Sequence, residues 1–142
     1  MIEIRVYGLP APQGSKRHVG GGRMVESSKA VGPWREAVRA ETQRIISGRI
    51  FDAPVQVEIA FFLPRPRGHY GTGRNAGQVR ESAPWVPAGR PDLDKLIRAT
   101  MDGLTEGGAW DDDAIVVSLS ASKEYADDGQ RPGCSIVIDG AV

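Results

Sequence analysis

The sequence predicts an α+β fold: a single domain built on a mixed β-sheet of about four strands and covered by two helices. Three observations carry this. Four segments alternate apolar and polar residues with the period of two expected of a half-buried strand, and two segments repeat apolar residues with the helical period. At 142 residues, with 40% apolar and 25% charged composition, the chain also has the size and balance of one compact domain spanning residues 1–142. The predicted order is strand, helix, strand, long loop, helix, strand, strand, with no internal repeat.

Ile2, Ile4 and Val6 alternate with Glu3, Arg5 and Tyr7, giving a first strand that stops at Gly8-Leu9-Pro10. From Pro12 to Arg23 the run PQGSKRHVGGGR combines glycine with basic side chains, which predicts a mobile basic loop. Gly32-Pro33 then opens a helix to about Ser47, proline being tolerated at a first helical position, with Val31, Trp34, Val38 and Ile45 as its apolar stripe. Val55, Val57, Ile59 and Phe61 form the second strand, which Pro64 ends.

The following stretch of prolines, glycines and arginines up to Arg90 has no sustained period, and a loop of that length usually has a function. Leu93, Leu96, Ile97, Thr100, Met101 and Leu104 follow the spacing of a one-sided helix, ended by Gly107-Gly108. Ile115, Val117, Leu119 and Ala121 alternate with Val116, Ser118, Ser120 and Ser122 as a third strand. Gly129 to Gly133 turns the chain into a last strand, Ser135 to Asp139.

Several function classes are disfavoured at this level. No run of about 18 apolar residues occurs, and the start MIEIRVYGLP lacks the charged and apolar blocks of a secretion signal, so a cytoplasmic protein without membrane partners is expected. The lone Cys134 has no second cysteine for a disulfide or a metal pair and reads as a buried thiol. No phosphate-cradling glycine motif with a following Lys-Ser/Thr is present, so no nucleotide cofactor is expected.

The net charge is zero, yet its distribution is uneven. Residues 1–91 carry 14 Lys/Arg against 7 Asp/Glu, and residues 92–142 carry 4 against 11. Such asymmetry suits a basic surface for phosphates beside an acidic pocket for cations; the alternative is that folding interleaves the charges. Arg65, Arg67, Arg74, Arg80 and Arg90, with Tyr70 and Trp85, supply charge for phosphates and flat rings for unpaired bases.

The acidic residues point to the chemistry. Asp92 and Asp94 stand at a helix entrance, and Asp111, Asp112 and Asp113 stand just before a strand. These are hard oxygen ligands with no accompanying histidine or cysteine, which favours magnesium over zinc. Gathered carboxylates repel one another, and a divalent ion relieves the repulsion. That ion can polarise a scissile phosphate and activate water. Arg98 falls one turn after Asp94, within reach of that carboxylate or of a phosphate beside it, and Lys95 is a second nearby cation. Taken singly, Asp92 reads more readily as an N-cap and Asp111 to Asp113 as a polar turn; their combination is what points to chemistry. An EF-hand starting at Asp92 fails, because Leu96 and Ile97 occupy positions that need an oxygen ligand and glycine.

At these residues the chain resembles the RusA family of Holliday junction resolvases, found in bacteria, phages and prophages. The resemblance rests on RPDLDKLIRATMDGL, WDDDAIV and SKEY, and more loosely on PAPQGSKR and VESSKAVGPWREAV. It implies a homodimeric endonuclease that uses magnesium, or manganese in its place, and nicks two strands of a four-way DNA junction symmetrically in recombination and repair. It implies an acidic site near the dimer interface, with Asp92, Asp94 and Asp113 as the essential acids and Asp112 as a neighbouring ligand. Arg98 stands where the family often has lysine, and Lys95 where it often has asparagine. A guanidinium binds phosphate but does not donate a proton as an amine does. Lys16, Arg17, Arg23, Arg65, Arg67, Arg74, Arg90 and Lys95 are the expected DNA contacts. Two other readings stay open: a broader nuclease for flaps and forks, and a junction-binding protein without catalysis.

Overall fold

The computed structural model describes residues 1–14 and 29–141 in full and, for residues 16–19 and 23–26, the backbone alone. Its centre is a four-stranded sheet in the order β1 (Ile2–Tyr7), β6 (Gly133–Gly140), β4 (Val55–Leu63), β5 (Val116–Tyr125). β6 runs antiparallel to both β1 and β4, whereas β4 and β5 are parallel. A parallel pair needs a crossover, and helix α2 (Leu93–Glu106) provides it. The mixed sheet and two helices agree with the α+β expectation.

Strand register assembles the core. Ile4, Ile136 and Ile59 lie side by side across three strands, as do Ile2, Ile138 and Val57. Five of these six are almost wholly buried, with Ile2 packed at their margin. Helices α1 (Val31–Ile46) and α2 cover this face. α1 begins two residues ahead of the expected start, so Pro33 sits inside its first turn, where a missing amide proton still costs no helical bond. The two helices touch closely at Gly107, where a Cβ would come within 2.7 Å of the Arg39 carbonyl oxygen.

Two expectations change. Within the loop foreseen from Pro12 to Arg23 the chain forms part of a β-ribbon, in which β2 (Lys16–Val19) pairs antiparallel with β3 (Arg23–Glu26). A second cross-strand partner supplied by the chain itself satisfies the backbone where local composition read only as irregular. In β5 the apolar alternation does not yield one continuous buried face. Val116 pairs with Val55 but Ser118 with Gln56, so Val117 falls in a register irregularity and is 63% exposed. Ile115 belongs to a 3-10 turn, Asp113–Ile115, ahead of the strand.

Candidate active site

Helix α2 organises the acidic residues by holding them at its two ends. Asp92 occupies the N-cap position in extended backbone, as expected for a residue that precedes the helix, but its side chain makes no capping hydrogen bond. Its carboxylate is therefore not committed to the helix, unlike that of an ordinary capping aspartate. It lies 3.5 Å from the Lys95 ammonium, with both side chains about half exposed. Asp94 is in the first turn and exposed, where the helix dipole favours negative charge. Arg98 is exposed one turn on and pairs with no acid among the described residues.

The backbone ahead of Asp92 is fixed from outside the helix. Lys123 of β5 donates to the Gly89 carbonyl at 2.8 Å and to the Pro91 carbonyl at 3.0 Å, bracketing a cis Arg90–Pro91 peptide. The Gln13 amide donates to the Lys95 carbonyl at 3.1 Å, tying the segment after β1 to the first turn of α2. Lys123 was missed as a site residue by sequence reasoning; its presence in the SKEY segment was the available signal. Beside Asp92 opens a cavity of about 860 Å³ with Ala11, Pro64, Pro91, Lys95 and Tyr125 among its walls.

The second acidic group is at the far end of the helix. Trp110, buried, donates from Nε1 to Thr105 Oγ1 at 2.8 Å, and Thr105 donates on to the Met101 carbonyl at 3.1 Å. This anchors the run that follows. Asp112 Oδ1 accepts from the Ala114 amide at 2.9 Å and so caps the 3-10 turn. Asp111 and Asp113 are exposed without such a bond. The groove here, about 330 Å³, is walled by Asp102, Thr105, Glu106 and the three aspartates. Of the two structural readings, the turn applies to Asp112 and the cap does not apply to Asp92.

The expected metal ligands do not converge within one chain. Among the described residues no three His, Cys, Asp or Glu side chains are placed to hold a metal ion. From Asp94 to Asp102, the first helix residue walling the Asp111–Asp113 groove, α2 advances about 12 Å, whereas magnesium ligands lie about 2 Å from the ion. The donor chemistry at each end suits a hard cation, but neither end alone offers a full set.

The long segment between β4 and α2 contains two short 3-10 turns, Arg67–His69 and Gly73–Asn75. Arg65 departs from its expected role as a DNA contact. Its side chain is 5% exposed, makes a bidentate pair with Asp127 at 2.8 and 3.0 Å, and donates to the Pro84 carbonyl at 2.7 Å. It also lies over the Tyr125 ring at 4.2 Å. The Asp127 hydrogen bonds hold its pKa above the usual arginine range. Arg65 thus frames the loop. Arg67, Arg74 and Arg90 are exposed with no acidic partner among the described residues, and Trp85 is 88% exposed. Lys16, Arg17 and Arg23 have side chains outside the described residues.

On α1 the basic residues are offset locally. Arg39 pairs with Glu36 and Arg44 with Glu41, and those hydrogen bonds lower the glutamates and raise the arginines. Charge is therefore interleaved on this helix, whereas Arg67, Arg74 and Arg90 of the long loop have no acidic partner among the described residues. No helix among the described residues is long and apolar enough to cross a membrane. The family model described as endodeoxyribonuclease RusA matches residues 8–138, a span that includes both acidic groups, and no curated protein matches the chain.

Proposed function

The chain belongs to the RusA family of endodeoxyribonucleases, and on that premise we propose that it is a magnesium-dependent resolvase that cuts Holliday junctions by paired, symmetric nicks in recombination and repair. The observation that carries the site assignment is the Asp92 carboxylate, placed at the head of α2 without capping it. Such a group is available to an ion or a water at a cost the helix has already absorbed.

The separation of the two acidic ends supports a homodimer. In this reading Asp92 and Asp94 of one chain are completed by Asp113 of another, with Asp112 fixing the turn that presents Asp113 and contributing its second oxygen. Magnesium, or manganese in its place, supplies positive charge at the scissile phosphate and a more acidic water when held by these carboxylates. Arg98 and Lys95 face the same entrance and neutralise phosphate charge. Lys123 keeps the Gly89–Pro91 backbone in place, so that Asp92 does not have to be ordered when DNA arrives. Arg67, Arg74 and Arg90, with Lys16, Arg17 and Arg23 of the ribbon, hold the arms by phosphate contacts that carry no sequence information. Trp85 offers a ring for an unstacked base at the branch. A twofold enzyme on a twofold junction would cut matched strands in one encounter.

The test is incubation with a synthetic four-way junction and a matched linear duplex, in magnesium or in EDTA, beside Asp92→Asn. Symmetric nicks confined to the junction, dependent on magnesium and lost in the variant, are expected. Equal cleavage of flaps and forks would make it a broader branched-DNA nuclease. Binding with no cleavage would leave an architectural protein.

A further inference from the structure

The long segment between β4 and α2 closes on itself. The Gly71 amide donates to the Gln78 carbonyl at 2.9 Å, the Arg80 amide donates to the His69 carbonyl at 2.8 Å, and Arg80 Nε donates to the Tyr70 carbonyl at 2.8 Å. Gly71 lies so near Asn75 that a Cβ on it would come within 2.7 Å of the Asn75 carbonyl oxygen. A hairpin bonded to itself in this way moves as a unit, so its direction depends on how its base is held. Arg65 holds the base. Its guanidinium makes the bidentate pair with Asp127, donates to the Pro84 carbonyl, stands 3.2 Å from His69 Nδ1 and lies over the Tyr125 ring. The His69 and Tyr125 rings also meet at 86°, with centroids 5.5 Å apart. One side chain thus joins the start of the segment, Pro84 near its end, and the tail of β5. Lys123, two residues before Tyr125 on the strand, separately ties down Gly89 and Pro91. Beyond this base Arg67, Arg74 and Trp85 are exposed.

We propose that the segment from Arg65 to Trp85 is a preformed platform for the arms of branched DNA, and that Arg65 and Asp127 are its positioning residues. The platform's purpose rests on the resolvase reading; its docking rests on the bonds around Arg65. Arg65 itself is too buried to hold a phosphate, at 5% exposed, and Asp127 already matches its charge. Arginine suits this place because its planar fork meets both Asp127 oxygens while one face stays on Tyr125 and another N–H reaches Pro84. The consequence runs against the sign of the charge. An acid ordinarily weakens binding to a polyanion, yet Asp127 strengthens it. Without that acid the guanidinium loses its anchor, and Arg67, Arg74 and Trp85 have to be ordered when DNA arrives. Asp128, next in the chain, is exposed and has no ion pair among the described residues, so it is an acid without this duty. The entrance at Asp92 is fastened by its own lysine, so loss of the Arg65 anchor reaches binding and leaves the chemical step alone.

The experiment compares wild type with Asp127→Asn, Asp128→Asn and Arg65→Lys, each as the full chain, with a four-way junction titrated in EDTA and cleaved in magnesium. Asp127→Asn is expected to weaken junction binding about tenfold although it removes a negative charge. Asp128→Asn removes the same charge and is expected to change binding less than about twofold. Arg65→Lys keeps the charge without the fork and should match Asp127→Asn. The double variant should bind no more weakly than either single one, since both break one contact. Single-turnover cleavage at saturating protein is expected to stay within about twofold of wild type, which a general loss of fold would not allow. Amide exchange over residues 67–80 should quicken in Asp127→Asn while that of β4 stays unchanged. Equal or tighter junction binding by Asp127→Asn overturns the proposal, because Arg65 would then be a phosphate contact released by loss of its partner. Normal affinity with a lowered saturated rate overturns it as well. If the wild-type chain binds no junction, the resolvase reading falls and the platform's role with it, while quickened exchange in Asp127→Asn would still uphold the docking.

Discussion

The two ends of α2 carry the same kind of side chain and are built by opposite means. At the entrance, Asp92 is held by backbone bonds arriving from elsewhere, from Lys123 to the Gly89 and Pro91 carbonyls and from the Gln13 amide to Lys95. Its own carboxylate makes no cap. At the exit, the acidic run is held from inside by the buried Trp110–Thr105 bond and by Asp112, which spends an oxygen on the Ala114 amide. One end is a polar clamp around an uncommitted acid; the other is a hydrophobic anchor followed by a self-capped turn. The difference shows that a carboxylate's availability depends on what fixes its backbone. Where other groups do the fixing, the acid is left without a capping bond.

The sharpest test of this contrast removes one acid at each end. Asp92→Asn and Asp113→Asn are each expected to lower junction cleavage about a thousandfold, about 4 kcal/mol of transition-state stabilisation, while binding in EDTA is retained. Asp111→Asn should change cleavage by less than about threefold, since it has neither a capping role nor an assigned ligand role. A silent Asp113→Asn in single-turnover assays would break the link between the two ends.

Lys123→Met should lower kcat about 10- to 100-fold, the range seen when a group supporting a metal ligand is lost, and raise the magnesium concentration needed for half-maximal rate. Lys123→Arg, which can still donate to both carbonyls, should recover most of the loss, and a substitution that only destabilised the fold would show in thermal melting instead. On the exposed loop between β4 and the entrance, Trp85→Ala is expected to weaken junction binding by about 1–3 kcal/mol in titrations, with the linear duplex little affected. A modest effect is expected at the exit turn. Asp112→Ala removes a cap, costing about 1 kcal/mol of stability in urea unfolding, and should reduce cleavage less than Asp113→Asn does. If Asp112→Ala instead matches Asp113→Asn, the turn and the ligand are the same residue and the comparison fails.

Much of this was legible from local pattern. Periodicity located β1, β4, α2 and β6 to within a few residues, because the side of a strand or helix that is buried is a local property of spacing. Asp92 ahead of the helix followed from Pro91 and the apolar stripe beginning at Leu93. The hairpin at Lys16–Val19 and Arg23–Glu26 did not follow, since two short polar strands show no apolar alternation and exist through each other's hydrogen bonds. The exposure of Val117 was equally hidden, because a shift of one residue in pairing with β4 decides it.

The amino-acid sequence alone determined the α+β class, the two helices, the positions of the five aspartates along the chain and the family they mark. Tertiary structure decided which of those groups are free. Arg65 is withdrawn into the frame by Asp127, 62 residues away, the backbone ahead of Asp92 is held by Lys123 of β5, and the two acidic ends are set apart by the length of the helix between them. Spacing along a chain reports which residues can share a face. It does not report which partner, distant in sequence, will satisfy a charge, because that depends on strand order and register that only the closed fold supplies.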